Sequence, residues 1–138
     1  MLRRTAIAFA ALSAASWAFA SGPSTTEPAQ AAALAWLNLV DAADSRSSWE
    51  QASVNFKSAV TSAQWSQALN GVRGPLGALR QREQKTAQST KSLPGAPDGQ
   101  YVVLQYQSSF QSKANATETV TVVLDPDGSW RVVGYFIK

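Results

Sequence analysis

The sequence predicts an α+β domain: three helices first, then about four antiparallel strands, with the helices packed on one face of a curved sheet. Two observations predict it. Apolar residues recur every three to four positions from residue 31 to about residue 72, and every second position further on. The two periods do not alternate. Helices grouped before strands indicate α+β rather than a wound parallel sheet.

Residues 1–20, MLRRTAIAFAALSAASWAFA, open with Arg3 and Arg4, run through an uncharged apolar stretch and close on Ala18-Phe19-Ala20. That is the pattern of a secretory signal cut after Ala20. The apolar run is shorter than the roughly 20 residues a membrane helix needs. The expectation is an exported chain, periplasmic or secreted, with no membrane span after cleavage. Residues 21–30, SGPSTTEPAQ, read as a flexible linker, so 31–138 forms one domain.

Ala33, Trp36, Leu37 and Val40 fall on one face of a first helix that ends near Asp41 to Asp44. Ser47-Ser48-Trp49-Glu50 has capping-box spacing and opens a second helix, with Trp49, Ser53, Phe56 and Val60 on one face. Thr61 and Gln64 repeat that spacing for a third, whose stripe is Trp65, Ala68, Leu69 and Val72. Gly71, Gly74 and Pro75 should break it, because proline has no amide to donate.

Residues 85–93 read as a solvated edge strand. Arg80, Arg82, Lys85 and Lys91 fit such an edge, since charge blunts edge-to-edge pairing; contact with anionic envelope polymers is the alternative. Pro94 to Gly99 form a turn. In YVVLQYQSSF, Val102, Leu104, Tyr106 and Phe110 share one face, and strands at 117–124 and 130–138 follow.

Asp125-Pro126-Asp127-Gly128 is either a cation loop or a hairpin turn. A calcium loop needs further ligands and a late glutamate, and no carboxylate follows Asp127. The turn reading needs only the proline, the aspartate and a glycine at positive φ. It sets Leu124 opposite Trp130, Val122 opposite Val132, Val120 opposite Gly134 and Glu118 opposite Phe136. The inner face would carry Val120, Val122, Leu124, Trp130, Val132 and Phe136. The outer face, with Val123, Val133, Tyr135 and Ile137, is apolar enough to suggest a homodimer contact.

The chain has no cysteine and no histidine. That removes thiol nucleophiles, serine–histidine triads and the usual ligands of zinc, copper and haem. No cofactor or metal is expected. The formal charge of +3 includes Arg3 and Arg4, so the cleaved chain is nearly neutral and nucleic acid is not an expected partner.

AWLNLVDAADSRSSW, QWSQALNGVRGPLGALRQR, SLPGAPDGQYVVLQYQSSF and ETVTVVLDPDGSWRVVGYFIK together resemble the bacterial domain-of-unknown-function family 4019. The resemblance spans residues 31–138 and implies an exported bacterial protein without a known activity. More distantly, helices before a sheet that closes on a W-R-V-x-x-Y strand resemble the nuclear-transport-factor-two-like (cystatin-like) fold. That likeness implies a pocket between helices and sheet.

On these grounds the expected function is a non-catalytic binding module of the cell envelope, for an envelope protein or a small apolar or anionic ligand. Trp36, Trp65, Arg73, Tyr106 and Trp130 are the candidate pocket residues. The indoles are core fillers or pocket walls. Arg73 closes the third helix, pairs with Asp41 or Asp44, or binds a ligand's anionic group. No residue is assigned as catalytic; the alternative is a small enzyme using Asp41, Arg73 and Tyr106.

Overall fold

The computed structural model describes residues 26–138. The predicted signal segment, its cut after Ala20 and residues 21–25 of the predicted linker lie outside the described residues.

Helix α1 spans Glu27–Asp41 and buries Ala29, Ala33, Trp36, Leu37 and Val40. It begins earlier than the pattern suggested, because Pro28 sits in the first turn, where a missing amide costs nothing. The helix closes on Ala43 at φ 57°. The Asp44 amide reaches the Leu39 carbonyl at 2.9 Å and the Ala43 amide reaches that of Val40 at 3.0 Å, which satisfies the last carbonyls.

The predicted second helix is two short ones, α2 (Ser45–Glu50) and α3 (Val54–Ala59), so the described residues hold four helices rather than three. The cap of α2 is Asp44, whose Oδ1 accepts from the Ser47 amide at 3.0 Å; Ser47 lies inside the helix. The break has a tertiary cause. The Ser53 amide leaves the helical ladder to donate to the Val132 carbonyl of the sheet at 2.8 Å.

Helix α4 spans Ser62–Leu76 and starts with the predicted capping box at Thr61 and Gln64. It continues through Pro75, which falls in the last turn, and ends at Gly77, φ 73°. Trp65 and Leu69 are buried as expected, whereas Ala68 and Val72 of the same stripe are exposed.

Four strands, β1 (Leu79–Thr90), β2 (Tyr101–Phe110), β3 (Lys113–Leu124) and β4 (Trp130–Ile137), form one antiparallel sheet in sequence order. Strand β1 is an edge strand, as expected, but begins at Leu79. Arg80 and Lys85 fall at its register shifts, which keeps that edge irregular. The core lies between α1 and the sheet, around Trp36, Leu37, Leu104, Val120, Val122 and Val132.

The β3–β4 hairpin follows the predicted turn. The Gly128 amide donates to the Asp125 carbonyl at 2.9 Å and the Asp125 amide to that of Ser129 at 2.8 Å, with Gly128 at φ 85°. Leu124 faces Trp130 and Val122 faces Val132, as predicted. Beyond that the register shifts by one residue, and Val133 has no partner. Thr121, not Val120, therefore faces Gly134, and Glu118 faces Ile137 rather than Phe136. A one-residue shift exchanges the faces of everything after it. Tyr135 turns in beside Val120, and Phe136 turns out to 52% exposure. The predicted outer dimer face thus loses Tyr135, and Val123 is buried within the monomer.

Candidate functional site

The strands bring two sets of chemically capable residues to opposite ends of the sheet. At one end, β1 contributes Arg82, β2 Ser108, β3 Glu118 and β4 Tyr135, with Asp41 and Arg73 supplied by α1 and α4. At the other end, the close of β1 and the starts of β2 and β4 surround Trp130.

The first set is a buried ion-pair network, in which Arg73 Nε and Nη1 are left without a hydrogen-bond partner among the described residues. Glu118 is in phase with Val120 and Val122 and has 0% exposure. Arg82 Nε and Nη2 donate to its two oxygens at 2.7 and 3.1 Å. Ser108 Oγ donates to Oε1 at 2.5 Å, and the Tyr135 hydroxyl makes a short bond to Oε2. Four donors fill the acceptor capacity of a carboxylate. Arg82 also grips Asp41 through Nη1 and Nη2 at 2.8 and 2.9 Å, and Arg73 Nη2 joins Asp41 at 2.9 Å. The Arg73 guanidinium lies 4.7 Å above the Phe110 ring.

Burial lowers the pKa of Arg82, but its bonds to Asp41 and Glu118 outweigh burial and hold it above the ordinary arginine value. Burial also pushes the Tyr135 hydroxyl up, reinforced by the Glu118 charge and hydrogen bond. Tyr135 is therefore a neutral donor at any physiological pH. Glu118 has no free lone pair and no exposure. The arrangement ties four strands and two helices together.

This placement corrects part of the sequence reading. Arg82 does not belong to a solvated edge; its side chain is 9% exposed and doubly paired. Arg73 does pair with Asp41, at the end of α4, while Asp44 serves α2 as its cap. Tyr106 does not join them: its hydroxyl is buried without a partner, and Tyr135 occupies the position by Glu118. Sequence reasoning missed Arg82, Glu118 and Tyr135. A signal for Glu118 was present, because a glutamate in phase with two core valines requires a buried cation. Tyr135 carried no such signal, since only the bulge at Val133 turns it inward.

The indoles also separate by role. Trp36 and Trp65 pack 5.7 Å apart, and both ring N–H groups end on Ser48, at its carbonyl (2.8 Å) and its Oγ (2.9 Å). Trp49 donates to the Val60 carbonyl at 2.8 Å. These three indoles build the helix layer. Trp130 is only half-buried, and its ring N–H has no partner among the described residues.

Trp130 stands between two open clefts. One, of about 460 Å³, is lined by Ser89, Thr90, Lys91, Gln100, Tyr101 and Trp130. The other, of about 370 Å³, lies between Trp130, Trp36 and Glu50. In the first, Tyr101 spends its hydroxyl on the Pro97 carbonyl at 2.5 Å and Thr90 spends its own on Ser92. The side chains of Ser89, Lys91 and Gln100 make no hydrogen bond or ion pair among the described residues. The five predicted pocket residues thus do not share one pocket. Trp36 and Trp130 meet at one cleft, Trp65 lines a groove beside β4, and Arg73 lines another between α1 and α4.

Asp125, raised as a cation ligand, is committed elsewhere: its carboxylate accepts from Ser53 Oγ at 2.8 Å and from Arg131 at 3.1 Å. Among the described residues no cluster of carboxylates could hold a metal ion.

Comparison with known families gives one match: the family model described as "Protein of unknown function (DUF4019)" covers residues 32–135. No curated protein matches the chain.

Proposed function

We propose, from the premise that the chain belongs to the DUF4019 family, that it is an exported, non-catalytic binding module of the cell envelope. Its ligand is a small molecule with an apolar ring and an anionic group, held in the cleft beside Trp130.

One observation carries this reading. Of the four tryptophans among the described residues, three spend their ring N–H on the protein, whereas that of Trp130 is free at an open cleft. An indole offers a flat apolar surface and one donor, which suits a ring bearing an acceptor. Lys91 supplies an uncommitted cation at the same cleft, and Ser89 and Gln100 supply neutral hydrogen-bonding groups. The cleft lining includes no carboxylate that would repel an anion. The four donors that fill the Glu118 carboxylate argue against its use in catalysis. Export is supported by the basic start, the apolar run and the Ala18-Phe19-Ala20 site.

Native mass spectrometry of the protein recovered from its host's envelope tests both parts. Expected are a chain starting at Ser21 and a small bound mass that Trp130→Ala and Lys91→Ala each reduce. A chain retaining its first residues inside the cell would overturn export. A bound mass unaffected by either substitution would overturn the cleft assignment.

A further inference from the structure

The exposed side of α4 is unlike an ordinary solvated helix. Its exposed residues, among them Gln64, Gln67, Ala68, Asn70 and Val72, include no charged side chain. The helix's one charged residue, Arg73, is turned inward onto Asp41 and is 10% exposed. Val72 is 47% exposed and Phe136, across from it on β4, is 52% exposed. Between them, Ala68, Leu69 and Val72 of α4 and Phe136 and Ile137 of β4 border an apolar groove of about 190 Å³. Gly71, beside Ala68 and Val72, has open space where a Cβ would stand. A helical glycine costs about 1 kcal/mol relative to alanine, and nothing among the described residues requires this one: its φ is not positive and nothing there crowds it.

We propose that this α4–β4 surface is the interface of an isologous homodimer. The argument for a second copy rests on charge and on shape. Residues close to a two-fold axis lie near their own copies, so any charged group there meets a like charge. The groove lining carries none, and the nearest charged residue in sequence on β4's side, Lys138, follows Ile137 at its end, so pairing the lining with itself brings no repulsion. Depletion of charge and the presence of an aromatic anchor are also the compositional signs of an interface centre. The patch is complementary to itself: a protruding ring, Phe136, stands beside a groove with room for a ring. Each copy can therefore insert Phe136 against Ala68 and Val72 of the other. The open side of Gly71 lets the two α4 helices approach closely. The strand edge of β4 lies alongside and can extend the contact through backbone pairing. This surface overlaps the outer sheet face that the sequence suggested only at Tyr135 and Ile137, and it is independent of the Trp130 cleft.

Sedimentation equilibrium of the mature chain at about 100 μM tests the proposal, with Phe136→Glu and Ala68→Arg as variants. Both positions are exposed in the monomer, so circular dichroism should show an unchanged fold. The expected result is a dimer for the native chain and a dimer dissociation constant raised at least tenfold in each variant, as for loss of an interface anchor. A native chain that stays monomeric overturns the proposal. So does a dimer that survives both substitutions, which would place its interface on another face. If Phe136→Glu fails to fold, Ala68→Arg alone decides, because a solvent-facing arginine suits a helix.

Discussion

Replacing Glu118 by glutamine should destabilise the domain by about 3 kcal/mol, the low end of the range for breaking a buried ion pair. The substitution keeps the shape and removes the charge. Glu118 has 0% exposure and accepts from Arg82 twice, from Ser108 and from Tyr135. Glutamine has one oxygen, so two of these four donors lose their acceptor, and its amide meets donors. Each charged hydrogen bond lost costs about 1.5–3 kcal/mol. Arg82 keeps its two bonds to Asp41, which holds the loss to the lower end. For a domain of this size, about 3 kcal/mol lowers Tm by roughly 10–15 °C. Urea unfolding followed by tryptophan fluorescence and circular dichroism measures it. The paired change Glu118→Leu with Arg82→Met should cost less than the sum of the single changes by about 2 kcal/mol, because neither charge is then left alone. A loss below about 1 kcal/mol for Glu118→Gln, or additive single and double changes, would refute the view that the network holds the helices on the sheet. Binding at the Trp130 cleft should survive Glu118→Gln wherever the protein stays folded.

Three further outcomes are expected. Tyr106, its hydroxyl buried without a partner and pushed up to about 12 by burial, stays protonated in the fold while the unfolded chain ionises near the ordinary value of about 10. Its contribution is complete below pH 10 and is lost as pH rises toward 12, so Tyr106→Phe should be neutral or stabilising by up to about 1 kcal/mol at pH 7 and should flatten the alkaline loss in a thermal-melt series. Tyr135 shifts the same way, so part of the alkaline slope should remain. Ser53→Ala removes a donor from buried Asp125 and the cap of α3, and should cost about 1–2 kcal/mol by urea titration. Ala43→Gly relieves a left-handed alanine at φ 57° and should add about 0.5–1 kcal/mol, seen as a higher Tm.

Much of the fold was legible in the sequence because it rests on local chemistry. The capping box at Thr61 and Gln64, the turn at Asp125 to Gly128 and the alternation of Val102, Leu104 and Tyr106 are each decided within a few residues. Such signals set the order of elements, the α+β class and the register next to the turn. The absence of cysteine and histidine narrowed the chemistry before any fold was known. What the sequence could not decide was where distant segments compete for the same backbone or the same charge. Ser53 left its helix because a carbonyl on β4 accepted its amide. Val133 fell out of register, and that single step exchanged Tyr135 for Phe136. Arg82, ordinary on an edge strand, became buried because Asp41 and Glu118 approached it from 41 and 36 positions away. Periodicity specifies which face a residue shares with its neighbours; only the folded chain determines which charges and surfaces that face must meet.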